Sequence, residues 1–304
     1  MDIAASILAE AIRSGTPLLL ATLGEIYCER SGVLNLGLEG VMTVGALVGF
    51  VATLATGSVW IGIFSAMIAG GLFSLIHAFT SVSLGANQTV SGLALTMLGT
   101  GVCSLLGGKY VGQPLPERLP VFQLPVLSEI PLLGGFFIHD PIVYFSIVLS
   151  IVMWFILFKT RIGVIIRAIG ERPEAADAAG VNVHLVRYLC VLLGGFLGGL
   201  GGAYVTLFYT PFWKEGIIRG RGWIALSLTI FSLWNPLGSI IGAYLFGGVE
   251  VLQFYLQEYR VPASLLRTLP YVVTMIVLTI SSIGFVRRRL GAPAALGKPY
   301  RRES

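Results

Sequence analysis

The sequence predicts an all-α fold, a polytopic bundle of about eight or nine membrane-spanning helices. Of its 304 residues 55% are hydrophobic and only 12% charged, with 39 glycines, a balance that excludes an ordinary soluble domain. Asp, Glu, Lys and Arg are absent from five windows, 40–108, 141–158, 188–213, 222–249 and 268–286. Each accommodates one or more spans of about 20 residues. Windows apolar on every side must face lipid or other buried helices.

The elements follow in order. A short apolar piece, 16–28, is the first candidate span. The window from 40 is too long for one crossing, and Thr56-Gly57-Ser58 and the run 81–88 (SVSLGANQ) are its natural breaks, which gives three spans. Residues 109–140 form a proline-rich loop carrying Pro114, Pro116, Pro120, Pro125 and Pro131, a composition suited to extended, ordered chain. A span from 141 leads into a polar segment, 159–187. The next span contains GGFLGGLGG, whose glycines Gly194, Gly195, Gly198, Gly199, Gly201 and Gly202 repeat at four-residue spacing and imply tight helix packing. Trp234-Asn235-Pro236 divides the following window into two short pieces, and the window from 268 supplies the last span.

Basic residues orient the bundle. Segment 159–187 and the tail 287–304 together hold eleven of the twenty lysines and arginines, so both are expected on the cytoplasmic side, beside anionic lipid headgroups. The loop 109–140 then lies outside. The two placements agree only if both pieces flanking Trp234-Asn235-Pro236 cross. The net charge of +5 is accounted for by these arginines and requires no nucleic acid.

Nothing in the chain assembles into a reactive centre. His77, His139 and His184 are far apart in sequence, Cys28, Cys103 and Cys190 have no metal-binding spacing, and no metal or catalytic set is expected. The run 291–298 superficially resembles a phosphate loop, but five residues separate its glycines and Pro299 stands where Ser or Thr must hold magnesium. Any nucleotide-driven work therefore belongs to a partner, and no cofactor is expected on this chain.

Three polar stretches stand out. In 29–40 (ERSGVLNLGLEG), Asn35 and Glu39 are four apart and would share a helix face. One reading is structural: Gly32 ends a helix, Asn35 caps the next and Glu39 complements its dipole. The other is a polar interruption lining a solute path. Asn87, Gln88 and Thr89 occupy a similar break, where capping again competes with a pathway role. Glu250 lies within an apolar stretch, where a carboxylate requires a cavity or a partner.

In 170–183 (GERPEAADAAGVNV), Pro173 suits a first helical turn, and Glu171 and Glu174 are favourable near it. Ala175 and Ala176 continue the helix, Gly180 stops it and Asn182 starts the next segment. The product is a short, alanine-faced helix that another protein's surface can approach closely. A solvated connector is the plainer alternative.

At these residues the chain resembles the permease subunits of ABC importers of the branched-chain amino acid, ribose and nucleoside family. Three blocks carry the resemblance: 29–40, 170–183, and 220–238 (GRGWIALSLTIFSLWNPLG). The first and third are most similar to the subgroup that moves nucleosides and simple sugars. The resemblance implies a single permease domain over 1–304, of type II importer architecture, in a bacterial-type plasma (inner) membrane. It implies a second permease subunit, ABC ATPase subunits holding ATP and magnesium, and an external solute-binding protein. Glu171, Pro173, Glu174, Ala175, Ala176 and Gly180 would match the coupling helix gripped by the ATPase. Asn35, Glu39, Asn87, Thr89 and Glu250 are the candidate pathway positions. A branched-chain amino acid permease of the same family is the nearest alternative. A secondary transporter, coupled through a buried group such as Glu250, is the alternative from another class.

Overall fold

The computed structural model describes residues 3–115, 120–123, 130, 133–257, 262–266, 268–282 and 291–300. It is a helical bundle. Helix α1 covers Ile3–Arg30, α2 Leu38–Thr56, α3 Val59–Ala78 and α4 Gln88–Gly107. Then come α5 (Pro141–Lys159), α6 (Arg161–Glu171), α7 (Pro173–Ala178), α8 (Val183–Tyr204) and α9 (Arg221–Phe231). The chain closes with α10 (Pro236–Leu256), α11 (Ala263–Leu266) and α12 (Leu269–Ser282). Between α4 and α5 a two-residue ladder pairs β1 (Phe122–Gln123) with β2 (Ile138–His139), a small departure from an all-α fold. Pro116, Pro125 and Pro131 of that loop, and Arg287, Arg288, Arg289, Arg301 and Arg302 of the tail, lie outside the described residues.

Among the described residues six helices are long and apolar enough to cross a membrane: α2, α3, α4, α5, α8 and α10. The protein is thus a multi-pass membrane protein, with fewer full-length apolar helices than the expected eight or nine. Three elements account for the difference: α1, α9 and α12, of which 14 residues are described. Helix α9 has only 11 residues, about 16 Å, roughly half the hydrocarbon thickness. Helix α1 is much longer than the 16–28 piece, because its charges do not end it. Arg13 donates to Glu10 at 2.9 Å and to the Phe208 carbonyl at 3.2 Å, so both charges are accommodated on a continuous helix of 28 residues.

The long apolar window breaks at Gly57, whose φ of 74° ends α2 while its N–H donates to the Thr53 carbonyl. The second break is shorter than expected, because α3 continues as a wider π turn over Phe79–Ser83.

Helix α8 is the axis of the bundle, packed on α1, α2 and α3. A side chain at Gly199 would strike the Ala66 carbonyl of α3, and one at Gly202 the Met42 carbonyl of α2. The glycine repeat therefore brings backbones into contact on several sides of one helix.

The ends of the bundle are distinct. At one end the segment before α5 meets the start of α1, where a side chain on Gly135 would meet the Ala5 carbonyl. Asp140 caps α5 there, accepting from Ile142 and Val143 N–H, and takes the Tyr204 hydroxyl at 2.7 Å. Burial pushes the Asp140 carboxyl up, and these hydrogen bonds partly offset the shift. At the other end lie the end of α1, the α1–α2 turn, α6, α7 and residues 291–300. Ala295 donates to the Gly170 carbonyl at 2.8 Å, and Tyr300 is buried with Ile169, Ala176 and Val183. The polar loop and the described part of the tail therefore share one end.

Candidate functional site

After α8 the chain turns back into the bundle and starts a new helix in its interior. Arg219 and Gly220 take left-handed φ values of 55° and 82°, and α9 begins at Arg221, which is 5% exposed. A helix start leaves backbone N–H groups without intrahelical partners, and in a dry interior they need an acceptor. Glu39 supplies it. Its Oε1 accepts from Gly220 N–H and its Oε2 from Gly222 N–H, each at 2.7 Å. A carboxylate is the best complement to that end of the helix dipole. Glu39 thus lies in the first turn of its own helix, as the sequence implies, and serves the start of α9 as well.

Arg221, between the two glycines, reaches the other way. Its Nη2 pairs with Glu250 Oε1 on α10, while the Ser14 hydroxyl on α1 donates to Glu250 Oε2 at 2.6 Å. The guanidinium lies 5.3 Å from the centre of the Tyr209 ring, and its Nε has no hydrogen-bond partner among the described residues. Glu250 therefore has the partner that its place in an apolar helix demands.

Beside the pair is a cavity of about 250 Å³. Arg221, Glu250 and Gln253 give it a polar wall, and Leu18, Ile224 and Phe246 an apolar one. Tyr271 of α12 closes one side, its hydroxyl donating to the Arg219 carbonyl at 3.0 Å. Donors and acceptors on one wall facing apolar surface suit a small polar solute with an apolar face.

The expected pathway residues separate. Glu39 and Glu250 flank the start of α9. Asn35 is buried in the α1–α2 turn, ahead of α2 rather than on a shared helix face with Glu39, because α2 starts only after Gly37. Its Oδ1 accepts from Gly37 N–H at 3.0 Å and its own N–H donates to Glu25 at 3.1 Å. Its Nδ2 has no partner among the described residues. Asn87 caps α4 by accepting from Val90 N–H at 3.1 Å, and both it and Thr89 are exposed, away from the cavity. The buried member of that break is Gln88, which accepts from Leu34 N–H at 2.7 Å. Arg221 is the residue sequence reasoning missed. A cation between two glycines at the edge of an apolar window was the available signal for Arg221.

The short helix α7 forms as its residues require. Pro173 occupies its first turn, and Gly180, at φ 83°, closes it: Gly180 N–H donates to the Asp177 carbonyl and Val181 N–H to that of Ala176. Asn182 then caps α8, accepting from Leu185 N–H at 2.9 Å. Glu171, Glu174, Ala175 and Gly180 are exposed, but Pro173 and Ala176 are buried against the chain itself. Those two side chains hold the helix in place, and the others face outward.

Comparison with known proteins gives this geometry its family. A family model described as branched-chain amino acid transport system / permease component matches residues 7–278. NupQ of Bacillus subtilis, a guanosine ABC transporter permease protein, is 39% identical over 93% of this chain and 92% of its own. TsgC13 of Haloferax volcanii, named as a candidate glucose ABC transporter permease, is 38% identical over 100% of this chain and 99% of its own. A solved ABC transporter, described as of metal-chelate type and inward-facing, superposes with a TM-score of 0.54 at 16% identity, covering 90% of this chain and 85% of its own. The chain belongs to the permease-component family of branched-chain amino acid transport systems, and it is a transport subunit rather than an enzyme.

Proposed function

We propose that this permease forms half of the pathway of an ATP-driven importer for nucleosides or simple sugars. The carrying observation is the interior start of α9, with the Arg221–Glu250 pair and its cavity of about 250 Å³ beside it. A polar wall facing apolar surface fits a ribose or hexose ring better than the aliphatic side chain of a branched-chain amino acid. The names of NupQ and TsgC13 support the same two solute classes.

In this reading the chain crosses nine times, with α1, the return into α9 and α12 counted beside the six long helices. The end carrying α7 and residues 291–300 is cytoplasmic, and the proline-rich loop meets an external solute-binding protein. Glu171, Glu174, Ala175 and Gly180 face an ABC ATPase that holds ATP and magnesium, and a second permease subunit completes the pathway. ATP-driven closure of the ATPases shifts access only through contacts that differ between the two states.

Radiolabelled guanosine and glucose uptake into membrane vesicles holding the whole transport system tests the reading. ATP-dependent, vanadate-sensitive uptake of either solute is expected, with cross-competition by adenosine or galactose naming the class. Uptake of leucine alone, or proton-driven uptake indifferent to vanadate, overturns it.

A further inference from the structure

Helix α9 is gripped at its two ends by the start of α2 and the end of α1, which the turn 31–37 connects. At its interior end Glu39 holds Gly220 and Gly222. At its far end the buried Trp234 donates its indole Nε1–H to Glu29, and Arg30 donates to the Leu233 carbonyl at 3.2 Å and the Trp234 carbonyl at 3.3 Å. Leu233 and Trp234 have φ values of 58° and 52°, the left-handed region that non-glycine residues seldom occupy. Such a pair persists only where its surroundings hold it.

The same turn touches the polar loop. Gly170 abuts the Arg30 carbonyl so closely that any side chain there would collide with it. Arg187, 1% exposed at the base of α8, donates from Nε to the Ser31 carbonyl at 3.1 Å. Residues 29–31 are therefore wedged between the end of α6, from which α7 hangs, and the end of α9, whose other end carries Arg221. Helix α9 has 11 residues, so its two gripped ends lie about 16 Å apart on one hydrogen-bonded ladder.

We infer that the Glu29–Trp234 hydrogen bond is the joint through which displacement of α7 reaches α9 and the Arg221–Glu250 cavity. Glu29 and Trp234 are positioning residues that link ATPase movement to the pathway. This rests on the permease reading and on α7 as the docked helix. The joint is a physical connection between two sites, and the decisive property is energetic coupling.

The test is the number of solute molecules imported per ATP hydrolysed, measured with radiolabelled guanosine or glucose in proteoliposomes holding the whole transporter. Trp234→Phe keeps an aromatic ring and removes the donor, and the ratio is expected to fall by up to about tenfold, the upper worth of an ordinary hydrogen bond. Glu29→Gln, which keeps an acceptor, should hold the ratio near wild type, and Glu29→Ala should lower it as Trp234→Phe does. The double variant E29A/W234F should be no worse than either single one. A purely structural role lowers uptake and hydrolysis together and leaves the ratio unchanged, which overturns the inference, as do two losses that multiply. If Trp234→Phe does not insert, the two Glu29 variants carry the comparison alone. Absence of ATP-driven uptake in the wild-type transporter defeats the permease reading instead.

Discussion

Arg221 and Glu250 join a helix that begins inside the bundle to one that runs its full length. The pair is nearly dry on the arginine side, with side-chain exposures of 6% and 20%. Removing one partner leaves a buried charge without compensation, whereas removing both leaves none. That asymmetry makes the pair testable apart from the chemistry of the solute.

Glu250→Ala should lower the stability of the detergent-solubilised protein by about 3 kcal/mol, the lower end of the range for breaking a buried pair because Glu250 is partly hydrated. The double replacement R221M/E250L should recover most of that stability. Thermal unfolding followed by tryptophan fluorescence measures both, and equal losses in the single and double variants contradict the burial argument. Uptake should be lost in both, because both strip the polar wall of the cavity.

Glu39→Ala removes the acceptor of two buried backbone N–H groups, each worth about 1.5–3 kcal/mol toward a charged partner. The loss should appear first as fraying of α9. Hydrogen exchange at the amides of Gly220 and Gly222 is expected to quicken by at least about tenfold in the variant. Glu39→Gln, with one acceptor oxygen, should fall between. Unchanged exchange in Glu39→Ala rules out the cap.

Gly202→Ala should prevent accumulation of folded protein, because the new methyl carbon would collide with the Met42 carbonyl oxygen. Gly101→Ala is the control, since nothing lies within 4 Å of a carbon added there. Membrane-inserted protein measured by fluorescence-detected gel filtration compares them. Equal yields would mean that α8 and α2 separate easily.

Glu174→Arg should separate ATP hydrolysis from uptake while insertion stays normal, because Glu174 is exposed on α7. Ala176→Arg should instead lower the amount of folded protein, as Ala176 is buried with Ile169, Val183 and Tyr300. Wild-type uptake by Glu174→Arg removes α7 from the coupling role.

Much of this architecture was legible because it depends on local chemistry. Pro173, Gly180 and Asn182 mark the ends of α7 and the start of α8 through backbone geometry that each residue type imposes by itself. The glycine repeat of α8 and the break at Gly57 were readable for the same reason. What depends on distant partners was not. The length of α1 was hidden because Glu10 and Arg13 look like a boundary until their pairing is seen. Asn35 and Glu39 satisfy the four-residue rule, yet Gly37 delays the helix and turns Glu39 toward α9, far along the chain. Asn87 and Gln88 are neighbours of similar polarity, and only tertiary packing decides that Gln88 is the buried one.

The contact between Ala295 and Gly170 also sets an order of events. Helix α7 leaves the ribosome early, but Tyr300 and its neighbours, which pack beneath it, are synthesised after every described helix. A nascent chain therefore carries α7 without the residues packed beneath it until 291–300 have been made. The last-made part of the described chain thus fixes the seat of one of its earlier helices.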